Sequence, residues 1–216
     1  MYRPPPDLGL EVLHEDAAML LINKPAGLLS VPGRGEEKQD SLTSRVQKRF
    51  ADALSVHRLD METSGIIVFA RSPETHRTLS IAFQERLTDK RYVAVVDGLL
   101  TNDAGEIDLP LITDWPNRPL QKVDHDIGKP SLTRYEVLQR DERMLATRVS
   151  LEPVTGRSHQ LRVHLKAIGH AILGDALYAD ETALAKAPRL LLHATDLSLP
   201  HPITGERLQF HCPAPF

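Results

Sequence analysis

The chain has 216 residues, of which 41% are hydrophobic and 25% are charged, and its formal net charge is −3. These values are ordinary for a globular protein and exclude disordered and fibrous classes. The single cysteine, Cys212, excludes an intramolecular disulfide and a cysteine-rich metal site. No run reaches the roughly 20 apolar residues of a membrane span, and no signal-peptide core is present, so we expect a soluble, cytoplasmic protein.

The first half of the chain is predicted to alternate short strands with two amphipathic helices. Apolar and β-branched runs predict strands at residues 10–14, 18–22, 66–70 and 90–98. Helical spacing of apolar residues predicts helices at residues 41–50, with Ser41 as N-cap, and 73–86, with Pro73 in the first turn.

The second half is predicted to be richer in strands. Alternation predicts strands at residues 105–111, 131–138, 145–151, 190–199 and 207–211. The pair at 131–138 and 145–151 reads as a hairpin joined through residues 140–143. Ser158 is a plausible N-cap for one further helix, and Gly169 supplies its C-terminal stop. No repeat or linker is visible, so we predict one domain over residues 1–216.

Residues 57–65, HRLDMETSG, place a histidine, an arginine and an aspartate directly before the apolar strand predicted at residues 66–70. The Thr-Ser-Gly triplet predicts a turn, and the polar groups therefore lie at the mouth of a core strand. A plain surface ion pair between Arg58 and Asp60 is the ordinary alternative.

Residues 113–130 carry the only tryptophan, Trp115, among prolines and basic residues. The composition is typical of a recognition loop, but a tryptophan that pins a loop to the core is equally compatible with it. Residues 117–166 contain ten Lys and Arg against six Asp and Glu, although the whole chain is acidic. Any nucleic-acid site must therefore be a local basic patch.

Other chemistries find little support in the sequence. His159 and His164 are five residues apart, which is not the spacing of two ligands on one helical face, and His57, His170 and His193 show no ligand spacing. The chain has no GxGxxG, no GxxxxGK[ST] and no GxSxG motif. Only one carboxylate, Asp60, lies in a motif. We therefore predict an enzyme without a metal or any other cofactor.

Three stretches together resemble a known family. HRLDxxTSG followed by apolar residues resembles the signature of the RluA family of pseudouridine synthases, and NKPxGLLSVPG at residues 23–33 resembles its first motif. DWPNRPxQKV followed by GKP resembles the namesake branch of that family. The resemblance implies an α+β fold with a long, mixed, mainly antiparallel sheet, flanking helices and a central active-site cleft.

The resemblance also implies roles for particular residues. Asp60 would be the catalytic nucleophile or base, Arg162 would pair with it, and Tyr92 would stack on the uracil. Arg58 would fill the gap that a flipped uridine leaves. The remaining predicted RNA contacts are His57, Arg118, Lys122 and Lys129.

Partners follow from the same resemblance. The expected partners are structured RNAs, namely a hairpin of large-subunit ribosomal RNA and a tRNA anticodon stem-loop. No membrane and no obligate protein partner are expected, and the enzyme is expected to be a monomer. About twenty residues precede the first motif, so no N-terminal S4-type RNA-binding domain is expected.

Two alternatives stay open from the residues themselves. One is an RNA N-glycosidase, which would release the base, and the other is a non-catalytic RNA-binding or ribosome-assembly factor. Ordinary glycosidases use two carboxylates, which favours isomerisation here.

Overall fold

The computed structural model describes residues 2–216, which form two compact units. The first unit runs to Lys90 and also contains His193–Pro215, and the second unit is Arg91–Leu192 together with Phe216. One domain over residues 1–216 stays a prediction.

Residues 2–216 form twelve strands, four α-helices and two short 3-10 helices. The strands are β1 (Glu11–Glu15), β2 (Met19–Lys24), β3 (Leu54–Ser55), β4 (Ser64–Ala70), β5 (Asp89–Asp97), β6 (Ala104–Asp108), β7 (Leu111–Thr113), β8 (Gln121–Val123), β9 (Leu132–Asp141), β10 (Ala146–Pro153), β11 (Leu192–Pro200) and β12 (Arg207–His211). The helices are α1 (Leu42–Arg49), α2 (Pro73–Gln84), α3 (Gln160–Ala167) and α4 (Glu181–Ala185), with 3-10 turns at Glu36–Lys38 and Trp115–Asn117.

The first unit is built around β4. Antiparallel β2 pairs with β4 over its length, and β1 pairs with β2. Strand β11 runs parallel to β4 and pairs antiparallel with β12. All seven residues of β4 are buried, which explains why its sequence is a continuous apolar run rather than an alternating one.

Helix α2 covers one face of this sheet. Its Leu79 packs in a cluster with Ile66 and Val68 of β4, and Ser72 caps its first turn as the capping residue of a capping box. Ile81, which the helical pattern counts among the apolar positions, is 41% exposed. The predicted helix also extends two residues too far, because it ends at Gln84 with Glu85 as its C-cap, and Arg86 has a positive φ of 59°.

The second unit contains an antiparallel meander in the order β5-β10-β9-β6. Helix α3 places Leu161 and Leu165 on one face of this meander, against Val149 and Leu151 of β10. The predicted hairpin is present, with longer strands than predicted, since β9 extends to Asp141.

Two predictions for this unit are wrong. The strand predicted at residues 105–111 is two strands, because the chain leaves β9 before Pro110 and Leu111 begins a separate pairing of β7 with β8. The predicted cap Ser158 does not begin α3. The N-cap is His159, which has a left-handed φ of 54° and makes no side-chain capping hydrogen bond.

The mainly antiparallel strands, the parallel pairing of β11 with β4 and the few helices confirm the predicted α+β class. The active-site cleft stays a prediction. In the described part of the chain, no helix is long and apolar enough to cross a membrane.

Gly65 gives the first prediction. A Cβ at this position would lie 2.3 Å from the carbonyl oxygen of Ala194, and φ is +114°. Gly65→Ala should therefore lower the free energy of unfolding by about 3 kcal/mol or more, since backbone strain and overpacking add. Urea unfolding measures the change. Gly156→Ala is the control, because nothing lies within 4 Å of its added Cβ, and it should stay within about 0.5 kcal/mol of wild type. Equal stability of the two variants would contradict the close approach.

Candidate active site

The signature segment, residues 57–63, forms the loop between β3 and β4, and a serine of the first motif fixes its backbone. The hydroxyl of Ser30 donates to the carbonyl of Leu59 at 2.6 Å and accepts from the amide of the same residue at 3.1 Å. Ser30 is buried, so water does not compete well for these groups. The peptide group before Asp60 is therefore held in place.

Lys24 holds the other side of the same loop. Its Nζ donates to the carbonyl oxygens of Pro25 at 2.9 Å, Leu28 at 2.7 Å and Met61 at 2.9 Å. The whole side chain is buried, with 0% exposure. The first motif therefore contacts the signature loop through a buried polar interaction.

Asp60 lies between these two fixed peptide groups and is half-buried. Its carbonyl accepts from the amide of Thr63 at 3.1 Å, which closes a turn at Met61 and Glu62. The predicted Thr-Ser-Gly turn is therefore displaced, because Ser64 and Gly65 already belong to β4.

His57 begins the loop, and its side chain packs against the protein interior. Its Nε2 accepts from the amide of Val68 at 3.1 Å, and its ring stacks on Phe83 with centroids 4.5 Å apart. Burial, followed by repulsion from Lys90, lowers the pKa of His57 to about 3. The imidazole is therefore neutral at pH 7. Its assignment to RNA binding stays a prediction.

Arg58 has the opposite environment. It is exposed, and within residues 2–216 it makes no hydrogen bond, ion pair or ring contact. A guanidinium so placed keeps all its donors and its planar face for a ligand.

Arg162 lies on α3 in the second unit and is buried, with 3% exposure. Its Nε and Nη2 donate to the two carboxylate oxygens of Asp175 at 2.8 and 2.7 Å, the paired geometry that fixes a guanidinium most firmly. Asp175 also accepts from the amides of Leu177 and Tyr178. The predicted pairing of Arg162 with Asp60 stays a prediction.

Tyr178 connects α3 to the β7–β8 hairpin. Its hydroxyl lies 2.6 Å from Nδ1 of His159 and accepts from the amide of Gln121 at 2.9 Å. The guanidinium of Arg162 lies 5.0 Å from the centroid of the same ring. The left-handed backbone of His159 aims its ring at Tyr178, which explains the unusual start of the helix.

Tyr92, on β5, is half-buried and packs against the core cluster of the second unit. It stands opposite Leu151 of β10 in the antiparallel register.

The predicted basic residues come together around the β7–β8 hairpin. Lys122 lies on β8, and the backbone of Lys129 bonds to Leu111 on the other side of β7. Arg118 lies in the hairpin loop, with its guanidinium 4.8 Å from the ring centroid of Trp115. Trp115 is 64% exposed, so it does not pin the loop to the core, which favours the recognition-loop interpretation.

In the stretch that the structure describes, no three His, Cys, Asp or Glu side chains are grouped as metal ligands would be.

Comparison with known proteins connects this geometry to a family. A family model described as "RNA pseudouridylate synthase" matches residues 18–167, which include the Lys24 and Ser30 contacts, Asp60 and Arg162. The chain belongs to the RNA pseudouridylate synthase family. The family that the three motifs predicted is therefore confirmed.

Relatives and solved structures agree with this assignment. A protein of Escherichia coli O6:H1 named "Dual-specificity RNA pseudouridine synthase RluA" is 53% identical over 215 residues, covering 100% of this chain and 98% of the relative. A protein of the same name from Yersinia pestis is 54% identical over 205 residues, covering 95% and 99%. The structure titled "Human RNA Pseudouridylate Synthase Domain Containing 1" matches with a TM-score of 0.83 and 27% identity, covering 99% of this chain and 87% of that one. The protein is thus an RNA pseudouridine synthase, an isomerase, rather than an N-glycosidase or a non-catalytic RNA-binding factor.

Sequence analysis missed several residues of this region. Asp175 and Tyr178 were not singled out, and the only signal for Asp175 is a carboxylate within the apolar stretch ILGDALY. Lys24 and Ser30 were quoted within a motif without a role, because their partners lie about thirty residues or more further along the chain.

The Ser30 contacts give the second prediction. Ser30→Ala leaves the amide and carbonyl of Leu59 without these partners, so the free energy of unfolding should fall by about 1 to 3 kcal/mol. Because Asp60 follows Leu59, release of the C5 hydrogen of uridine should slow by about tenfold to a hundredfold. Ser41→Ala is the matched control. It removes the cap of α1 at a cost of about 1 kcal/mol and should keep normal turnover. Normal turnover in both variants would show that the Ser30 bonds do not position Asp60.

The third prediction concerns pH. Because the native pKa of His57 is about 3 against an ordinary value of 6.5, the unfolded chain binds this proton first as the pH falls. His57 thus contributes stability above pH 6.5 that is lost as the pH falls toward 3, with a slope of at most about 1.4 kcal/mol per pH unit.

His57→Gln should therefore reduce the pH dependence of the free energy of unfolding between about pH 4.5 and 6.5, as measured by urea unfolding. Asp16, whose pKa is lowered to about 2, acts below this window. His125→Gln, at an exposed position, should keep the wild-type slope. An unchanged slope in His57→Gln would mean that folding does not lower the pKa of His57.

Proposed function

We propose that Asp60 is the catalytic carboxylate with which this enzyme isomerises uridine to pseudouridine in RNA. The observation that carries the proposal is the double fixation of its loop, in which Ser30 holds Leu59 and Lys24 holds Met61. A carboxylate that must reach one atom of a bound nucleotide benefits from a rigid backbone on both sides.

The reaction needs no water and no oxidant. The bond between N1 of uracil and C1′ of ribose breaks, the base turns, and a bond forms between C5 and C1′. The C5 hydrogen leaves as a proton and N1 gains one, so the composition of the RNA is unchanged. Asp60 acts in this reaction as the nucleophile or the base.

Arg162 and Tyr92 complete the proposed machinery. Arg162 pairs with Asp60 while Asp175 fixes its guanidinium from the other side, since a buried guanidinium with a bidentate partner has little freedom to move. Tyr92 stacks on the uracil. The exposed Arg58 enters the gap left by the flipped uridine.

The proposed substrates are loop uridines in a hairpin of large-subunit ribosomal RNA and in a tRNA anticodon stem-loop. Support comes from relatives named dual-specificity enzymes that are about half identical over nearly the whole chain. The exposed Trp115 and the basic residues Arg118, Lys122 and Lys129 suit an RNA loop, since an aromatic ring stacks on an unpaired base and cations bind the backbone. We further propose that the enzyme acts as a monomer in the cytoplasm.

The test of this proposal is the variant Asp60→Asn, which keeps the shape of the side chain and removes its charge. Release of the C5 hydrogen from a uridine-labelled stem-loop should fall below detection, while RNA binding stays within several-fold. Glu62→Gln is the matched control, because it removes a carboxylate from the same loop and should retain turnover. Substantial hydrogen release by Asp60→Asn would overturn the assignment.

The fifth prediction concerns the choice of RNA. Flipping a uridine costs a few kcal/mol, least where the base is already unpaired. A stem-loop with the target uridine in its loop should react about two orders of magnitude faster in a single turnover than the same uridine in a continuous duplex.

Arg58→Ala should slow hydrogen release from the loop substrate more than it weakens binding, whereas Arg34→Ala, at another exposed arginine, should do neither. Equal rates on loop and duplex would mean that base flipping does not limit selection, and would remove the proposed role of Arg58.

A further inference from the structure

Lys90 lies beside the ring on which the signature loop rests. Its Nζ is 5.9 Å from the ring centroid of Phe83, and His57 stacks on the same ring at 4.5 Å. Since His57 directly precedes the exposed Arg58, the ammonium of Lys90 lies next to the start of the signature loop.

This lysine is half-buried without a bound acceptor. Across residues 2–216, the ammonium of Lys90 makes no hydrogen bond and no ion pair, and it lies over the ring of Phe83. The partly buried Lys186, by contrast, lies 2.5 Å from a carboxylate oxygen of Asp97, and the buried Lys24 donates to three carbonyls. A desolvated ammonium without an acceptor is costly.

The charges around Lys90 make the region more positive. Burial and the neighbouring Arg86 both lower the pKa of Lys90, which shows that Arg86 adds a second cation close by. Asp89, the acidic neighbour in the chain, is bonded to Arg207, so its charge is already matched. The neutral His57 contributes no charge at pH 7.

We propose that Lys90, supported by Arg86, binds a backbone phosphate of the substrate RNA close to the uridine that Arg58 displaces. The inference rests on the proposed RNA substrate and adds a phosphate site in the first unit, separate from the basic hairpin of the second. Lysine binds phosphate as a compact point charge with three donors, and a phosphodiester is the anion that RNA brings to every nucleotide. Its arrival supplies the acceptor that the ammonium lacks.

The first experiment measures RNA affinity against salt for Lys90→Gln, Lys90→Arg and the control Lys48→Gln, which removes a charge from an exposed position on α1. Lys90→Gln should bind the stem-loop about tenfold more weakly, and its plot of log affinity against log salt should be shallower by about 0.7 to 0.9, the value for one phosphate contact. Lys90→Arg and Lys48→Gln should keep the wild-type slope. A wild-type slope in Lys90→Gln would overturn the proposal.

The second experiment locates the phosphate. Single methylphosphonate linkages, which are uncharged, are placed in turn around the target uridine. One position should weaken binding to wild type and leave binding to Lys90→Gln unchanged, because charge and partner are then removed together. Equal sensitivity of both proteins at every position would also overturn the site.

Thermal unfolding separates folding from binding. Lys90→Gln should melt at the wild-type temperature or above it, because a partly buried charge without a partner is removed. A different result would contradict the proposed function, namely that the wild-type enzyme releases no C5 hydrogen from the stem-loop. Normal wild-type turnover with unchanged binding by Lys90→Gln would contradict the phosphate site alone.

Discussion

The buried ammonium of Lys24 is the interaction on which the candidate active site most depends. Taking a charge out of water costs several kcal/mol, and the cost is met only where good acceptors surround it. Here three backbone carbonyls do so, two in the first motif and one, that of Met61, in the signature loop. Because these carbonyls belong to both motifs, the buried charge fixes the two motifs against each other. Ser30 completes the arrangement at Leu59, and Asp60 takes its position from both contacts.

A second buried charge organises the other unit. Arg162 is held by Asp175, and loss of either residue would break a buried, bidentate ion pair. Tyr178 lies against this pair and also accepts from the amide of Gln121 at the start of β8. The hairpin that carries the basic residues therefore shares its support with Arg162. The backbone at the start of β8 and the orientation of Arg162 thus depend on the same few contacts.

Much of the fold could be predicted because burial leaves a periodic pattern in the sequence. The apolar run at residues 66–70 marks β4 correctly, since a strand buried on both faces needs no polar positions. The pattern fails where a chain changes partners. The strand predicted at residues 105–111 keeps its alternation across Pro110, yet β6 pairs with β9 and β7 pairs with β8. Pairing depends on which strands are neighbours, which local alternation does not record.

The sequence by itself determined the family and the candidate catalytic aspartate, because both depend on motifs whose residues are close together in the chain. The sequence also shows that no recognisable cofactor motif is present. Only the tertiary structure decided what holds those residues. The carbonyl of Met61 lies 37 residues from Lys24, and the carboxylate of Asp175 lies 13 residues from Arg162, and neither separation is a characteristic spacing. The left-handed start of α3 at His159 likewise follows from its bond to a distant tyrosine and not from a local capping residue. Hydrogen bonds that satisfy buried charges are set by the topology of the folded chain, and a linear pattern contains no record of them.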